Sequence, residues 1–271
     1  MISKSLYLEL KSFLKSNNIY IYQMGKVGSS FLERSLENAI HIHNFYPNNR
    51  PCSYYDIYLK KLRGRLYWSK YKAVMYIKRY GARKGKNLFI VPIRDPFSRS
   101  KSMFFQNLHM YFVASHNYTN LDNKFVVNDR ASNKDLLSDL FNSRFEFDYF
   151  DRWFREDFEK LFDISILEYK FDTSKGWLEI SNNERNIFLY RVDLLEHDSL
   201  KNVLSLRYNL DLKSLDLDSN SAVDKWYSSI YKNDLKISDA NLDKIMESDY
   251  VNMFFNKSEL NKFANKLRGG V

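Results

Sequence analysis

Cysteine, proline and glycine are all scarce in this sequence. One cysteine, Cys52, among 271 residues excludes an internal disulfide framework and fits a reducing compartment. Four prolines and eight glycines leave no room for a flexible linker, so residues 1–271 are expected to form a single domain with insertions. There is no internal repeat or low-complexity tract. No apolar run approaches the ~20 residues of a membrane span. The opening segment, MISKSLYLELKSFLKSNN, sets Lys4, Glu9 and Lys11 among its apolar residues and has no cleavage site. It reads as an amphipathic helix rather than a signal peptide, and the expected location is the cytoplasm. A further absence is local: between Asp56 and Asp95 there is no acidic residue.

That gap explains the overall charge. The chain has 42 Lys and Arg against 33 Asp and Glu, a net charge of +9. Twelve of the basic residues, from Lys60 to Arg94, lie in the acid-free gap, leaving 30 basic against 33 acidic residues elsewhere. The protein is therefore a slightly acidic scaffold carrying one basic element. This disfavours nucleic acid as the partner and raises the question of which anion meets that element. With 44% hydrophobic and 17% aromatic residues, the chain can build a substantial core.

Hydrophobic patterning predicts an α/β protein. Ile19–Tyr22 is a short β-prone run. It leads into Gln23-Met24-Gly25-Lys26-Val27-Gly28-Ser29-Ser30, after which Phe31, Leu32, Ser35, Leu36 and Ala39 recur at helical spacing. Ile40–His43 alternates as a second strand. Residues 54–86 read as a basic, tyrosine-rich helical insert, with Gly64, Gly81 and Gly85 as breaks. Asn87–Ile93 is a continuous apolar run of the kind that forms a buried parallel strand. Asp95 can cap the helix after it, and Pro96 suits the first helical position. Residues 114–143, polar and rich in Asn and Asp, are expected to be a loop or lid with short helices. Residues 148–162 read as helix, Ile164–Leu167 and Asn186–Arg191 as strands. Strands alternating with helices imply a central parallel sheet in a three-layer sandwich.

The strand–loop–helix unit at residues 19–36 is the strongest chemical signal. Successive backbone N–H groups of a glycine loop opening onto a helix can cradle an anion. Lys26 adds a mobile positive charge, and the Ser29 and Ser30 hydroxyls can donate to phosphate oxygens. The bland alternative is an ordinary strand-to-helix turn with an exposed lysine. A nucleotide-kinase loop would end in Gly-Lys-Ser/Thr after four intervening residues, whereas here the lysine comes first. A second constellation, Arg94-Asp95-Pro96 with Ser102 eight residues after the arginine, follows the buried 87–93 strand. A guanidinium at the carboxyl end of a parallel strand offers bidentate donors to a phosphate. The alternative for Arg94 is a structural ion pair with Asp95 or another carboxylate.

Lys26-Val27-Gly28-Ser29-Ser30-Phe31-Leu32 resembles the 5′-phosphosulfate loop of the sulfotransferases, and Arg94 with Ser102 resembles their 3′-phosphate motif. Within that superfamily, residues 23–30, Phe150-Asp151-Arg152-Trp153-Phe154 and Asp224-Lys225-Trp226-Tyr227-Ser228 are similar to the bacterial capsular polysaccharide synthesis group. Asn186–Leu195 is similar to the family's late strand. The resemblance implies a P-loop-like fold and a sulfuryl donor, 3′-phosphoadenosine 5′-phosphosulfate, with 3′,5′-adenosine bisphosphate as product and no metal. It implies donor contacts from Lys26, Val27, Gly28, Ser29, Ser30, Phe31, Arg94 and Ser102. Phe31 would approach the adenine, a core-facing helix aromatic being the equal alternative. Arg99 matches a second arginine of some members and reads as scaffold.

Sulfuryl transfer to a hydroxyl should pass through a loose in-line transition state, as phosphoryl transfer does. Lys26 would then neutralise charge on the leaving oxygens. The hydroxyl needs a base. His43 follows the second strand, where cytosolic sulfotransferases carry a catalytic histidine, and a pKa near 6.5 suits the task. His41, on the same strand face, and His109 and His116 are weaker candidates. A His41/His43 metal pair lacks partners at recognisable spacing. The expected acceptor is a sugar, polysaccharide or lipid-linked glycan, with peripheral contact at the inner face of the membrane. The rival readings are a nucleotide-dependent kinase and a non-enzymatic basic module docking on anionic polysaccharide or membrane through residues 60–86.

Overall fold

The sheet follows from runs of β-branched and aromatic residues short enough to cross a core once. In a computed structural model, Ile19–Tyr22 (β1), Ile40–Ile42 (β2), Asn87–Ile93 (β3), Trp177–Ser181 (β4) and Arg185–Arg191 (β5) form one five-stranded sheet in the order β2-β1-β3-β5-β4. The structure describes residues 11–15, 17–36, 38–46, 71–108, 110–111, 134–181, 185–195, 197–212 and 235–267. The insert's residues 54–70, the stretch 114–133, His109, His116 and residues 224–228 lie outside them. β1 pairs in parallel with β2 and β3, and β3 with β5, while β4 runs antiparallel to β5.

The expected α/β class and largely parallel sheet are present. Every residue of β3 is buried, as a strand covered on both faces must be. Alternation along the strands sends Ile21, Ile90 and Phe188 to one face, where they pack with Leu32, Leu36, Leu200 and Leu204 from helices. It sends Tyr20, Tyr22 and Phe89 to the other face, against Phe45, Trp153, Phe158 and Phe162. Helical residues thus cover both faces, an arrangement compatible with a three-layer sandwich.

The contacts divide the chain into two compact units. The first comprises residues 1–50, 63–94 and 152–215 and holds the sheet; the second comprises 51–62, 95–151 and 216–271. Within the second, Asp95 caps the Pro96–Gln106 helix by accepting the Ser98 N–H at 2.7 Å. Phe104, Tyr111, Phe141, Phe145 and Phe147 form its aromatic core. The Asn142 side chain accepts the Ser238 N–H at 2.6 Å and so fixes the start of the Asp239–Met246 helix. Among the described residues no helix is long and apolar enough to cross a membrane.

Two expectations need correcting. Ile164–Leu167 is not a strand: Ile166–Glu168 is a 3₁₀ turn. Asp163 before it is left-handed, and the Glu159 carboxylate accepts the Ile166 N–H at 2.8 Å, so local capping replaces sheet pairing. Lys134–Arg144 is an eleven-residue helix, in line with the short helices expected within the 114–143 segment. Gly81 does not break its helix, which runs through residues 71–83. The glycine is there because Phe13 crosses close by, and a Cβ on it would sit 1.9 Å from the Phe13 carbonyl oxygen.

Gly81→Ala should therefore reverse the usual preference. In an exposed helix interior alanine would stabilise by about 1 kcal/mol. Here the clash is with backbone, and overpacking of this kind costs roughly 1–3 kcal/mol. We expect a lower melting temperature for Gly81→Ala; an unchanged or higher one would show that the Phe13 segment yields freely.

Candidate functional site

Sheet order creates the site. From β1 the chain crosses to β2 on one side, while β3 lies on the other. The carboxyl ends of β1 and β3 therefore lie where the strand order reverses, the usual binding position in open α/β sheets. The loop after β1 turns sharply: Gly25, Lys26 and Gly28 all have positive φ, at 87°, 59° and 81°. A Cβ on Gly28 would meet nothing within 4 Å, so backbone conformation and not space requires glycine there. Lys26, with a side chain, adopts the left-handed region that such residues rarely take.

The glycine-loop motif meets the arginine of the second motif here. Arg94, the residue after β3, donates from Nη1 to the Lys26 carbonyl oxygen at 3.1 Å. It does not pair with Asp95, whose carboxylate is the helix cap. Val27 is fully buried, Gly28 and Ser30 are exposed, and Lys26 and Arg94 are half-buried. Phe31 is half-buried and packs against the core cluster of Ile21, Leu32 and Leu36, as the core-facing alternative has it. Ser102, half-buried in the Pro96–Gln106 helix, belongs to the second unit, as does Arg99, which lies 2% exposed with its guanidinium 4.9 Å from the Tyr149 ring centre.

Ser29 is the residue whose environment departs most from its sequence reading. It occupies the N-cap position of the Ser30–Ser35 helix, yet its side chain caps nothing. Its hydroxyl accepts from Gln23 Nε2 at 2.6 Å and donates its proton to Glu33 at 2.9 Å. Glu33 Oε1 also lies 3.2 Å from His41 Nε2, and Gln23 Nε2 contacts the same imidazole nitrogen. His41 and His43 sit edge to face, their ring centres 4.7 Å apart. Gln23, Ser29, Glu33, His41 and His43 thus form one polar cluster at the carboxyl edge of β1 and β2. Glu33 had no role in the sequence reading. Its spacing of four from Ser29 on a helix was the available signal.

A second group positions His43 through its backbone. Trp153 Nε1 donates to the His43 carbonyl at 2.8 Å. One turn on, in the π-helical segment Phe154–Phe158, fully buried Asp157 accepts the Phe45 N–H at 2.7 Å, the Tyr46 N–H at 3.1 Å and the Tyr22 hydroxyl. Single-turn π segments recur at functional sites, and this one aims the Asp157 carboxylate at the chain leaving β2.

The second unit carries a groove of about 660 Å³ whose lining includes Asp243, Glu247, Asn252, Asn256 and Lys257. None of the site residues read from the sequence is among them. No family model matches the chain, and no curated protein or solved structure matches it either.

Two outcomes follow. Burial holds the His41 pKa below its ordinary value of 6.5, outweighing the opposing pull of Glu33. The unfolded chain therefore takes up this proton at higher pH than the folded one, and stability is lost as pH falls below about 6.5. His41→Gln should flatten the decline in melting temperature between pH 7.5 and 5.5; an identical decline would assign it to other groups. Asp157→Ala leaves two backbone N–H groups and one hydroxyl without their acceptor at a buried position. At roughly 1–3 kcal/mol per orphaned donor, it should cost several kcal/mol in denaturant unfolding, and a loss under 1 kcal/mol would contradict the buried role.

Proposed function

We propose that the protein is a sulfotransferase that moves a sulfuryl group from 3′-phosphoadenosine 5′-phosphosulfate to a hydroxyl of a sugar or glycolipid in surface-polysaccharide synthesis. In this reading the fold is a three-layer sandwich with a P-loop-like 5′-phosphosulfate loop, working in the cytoplasm. One observation carries it: the Arg94 guanidinium reaches the Lys26 carbonyl. The loop that resembles the 5′-phosphosulfate loop and the arginine that resembles the 3′-phosphate ligand therefore adjoin at the carboxyl ends of β1 and β3. Parallel pairing of β1 with β3 brings their carboxyl ends together, and the reading draws its support from what stands there: a glycine loop of positive φ beside a half-buried arginine.

In this mechanism the loop from Lys26 to Ser30 binds the donor's 5′-phosphate and sulfuryl oxygens. Arg94 binds the 3′-phosphate, and Ser102 joins it on the strength of its sequence spacing. Ser29 exchanges Glu33 for a phosphate oxygen when the donor binds. His43, held by Trp153 through its backbone, accepts the proton of the acceptor hydroxyl as that oxygen attacks sulfur. The bond between sulfur and the bridging phosphate oxygen breaks in line, and the bisphosphate leaves with its added charge neutralised by Lys26. Positioning and charge stabilisation supply most of the rate in transfers of this type.

Thermal unfolding with 3′,5′-adenosine bisphosphate, compared with ATP plus magnesium, tests the donor site. At about 100 times its Kd a ligand adds about 2.7 kcal/mol, a rise of several degrees for a chain of this size. We expect a rise with the bisphosphate alone, abolished in Lys26→Ala and Arg94→Ala. Equal shifts, or none, would overturn the assignment. His43→Ala should keep the bisphosphate shift and lose transfer; retained turnover would move the base elsewhere.

A further inference from the structure

The described part of the basic insert, the helix of residues 71–83 and the turn after it, presents one coherent outer face. Helical spacing brings Lys72, Tyr76, Arg79, Tyr80 and Arg83 to the same side, with Lys84 at its margin. Tyr76 is 64% exposed and Tyr80 47%, the large aromatic side chains that stand open among the described residues. The inner face is occupied: Met75 and Ala82 are buried, and Gly81 meets Phe13.

The cations of this face lie over rings and carbonyls. The Arg79 guanidinium lies 4.6 Å from the Tyr46 ring centre and 5.7 Å from that of Tyr76. Lys84 Nζ lies 4.3 Å from the Tyr80 ring centre. Arg83 donates to the Lys160 carbonyl at 2.6 Å and to the Tyr46 hydroxyl at 3.2 Å, which pins the helix to the segment ending at Phe162. The sequence offers no acidic residue from 57 to 94 to neutralise them. Arg79, Arg83 and Lys84 form no ion pair among the described residues, so the face sets positive charge beside aromatic surface.

We propose that this face docks an acidic polysaccharide, the acceptor of the reaction proposed above, and in that last respect it rests on that reading. Guanidinium and ammonium groups pair with carboxylate or sulfate substituents, and the ring faces of Tyr76 and Tyr80 stack on sugar C–H surfaces. The two tyrosines are one helical turn apart, about 6 Å along the axis, a span comparable with one pyranose unit. A membrane fits less well, because the large exposed side chains of the helix are tyrosines and no large aliphatic residue is exposed on it to form an apolar wedge, Val74 and Ile77 being half-buried. Nucleic acid fits less well because a single helix face gives no groove to track a phosphate backbone.

The test measures binding of the full chain to polyuronate, neutral dextran, linear polyphosphate, anionic phospholipid vesicles and single-stranded poly(U). Polyuronate should bind and dextran should not. Tyr76→Ser/Tyr80→Ser, which leaves charge unchanged, should weaken polyuronate at least tenfold while leaving polyphosphate within twofold. Arg79→Gln/Lys84→Gln should weaken both. If the tyrosine pair leaves polyuronate affinity unchanged, charge alone explains binding and the proposal fails. It also fails if vesicles or poly(U) bind more tightly than polyuronate with the same sensitivity to the variants. The bisphosphate shift, read on the same variants, separates the two ideas. A lost shift with intact polyuronate binding overturns the donor site alone, and the reverse overturns the docking face alone.

Discussion

The carboxyl group of Asp157 ties three parts of the first unit together, and the site depends on it. It sits wholly out of water on a π-helical turn, where an unpaired carboxyl would be costly. Its oxygens are instead met by the end of β1 through Tyr22 and by the chain leaving β2 through the Phe45 and Tyr46 N–H groups. Trp153, four residues earlier, adds a bond to the His43 carbonyl. The backbone at His43 is thus set by buried groups that have no alternative partners in water. This is how a histidine beyond the end of a three-residue strand can hold a defined position.

Charge at the carboxyl edge of the sheet is distributed unequally, and the inequality indicates where an anion would settle. Arg191, at the end of β5, is 1% exposed and forked onto Asp193, with Nε to Oδ1 at 3.1 Å and Nη2 to Oδ2 at 2.5 Å. Its charge is already matched, so it is a structural pair. Arg94, at the end of neighbouring β3, gives one N–H to a neutral carbonyl. A guanidinium has five donors, and a backbone carbonyl cancels no charge.

Much of the frame was legible in the sequence because it rests on local patterns. The β1 run, the glycine loop, the apolar β3 and the Asp95–Pro96 helix start each combine a periodicity with a punctuating residue, and each appears where expected. β4 escaped notice because it is a five-residue antiparallel edge strand whose burial alternates poorly. Ile164–Leu167 carried the strand composition but lost to a capping carboxylate seven residues away from the N–H it accepts. Gly81 was misread because glycine's propensity is local, whereas the reason for it is Phe13, 68 positions earlier in the chain.

The polar cluster was the least legible part, and the physical reason bears on how the site would work. Gln23, Ser29, Glu33 and His41 come from a loop, a helix and a strand, and only the register Ile21↔His41 between β1 and β2 brings them together. Once assembled, they set a carboxylate beside a loop proposed to hold an anion. That placement would oppose binding were Glu33 not shared between the Ser29 hydroxyl and the His41 imidazole. An incoming phosphate would compete with Glu33 for the Ser29 proton. Glu33 could then lean more fully on His41, favouring the protonated ring that burial now disfavours. If the loop binds an anion, that binding and proton uptake at His41 are linked, with His43 an edge-to-face neighbour of the ring whose charge would change. For such an anion the carboxylate beside the loop would be a partner in exchange and not a fixed barrier.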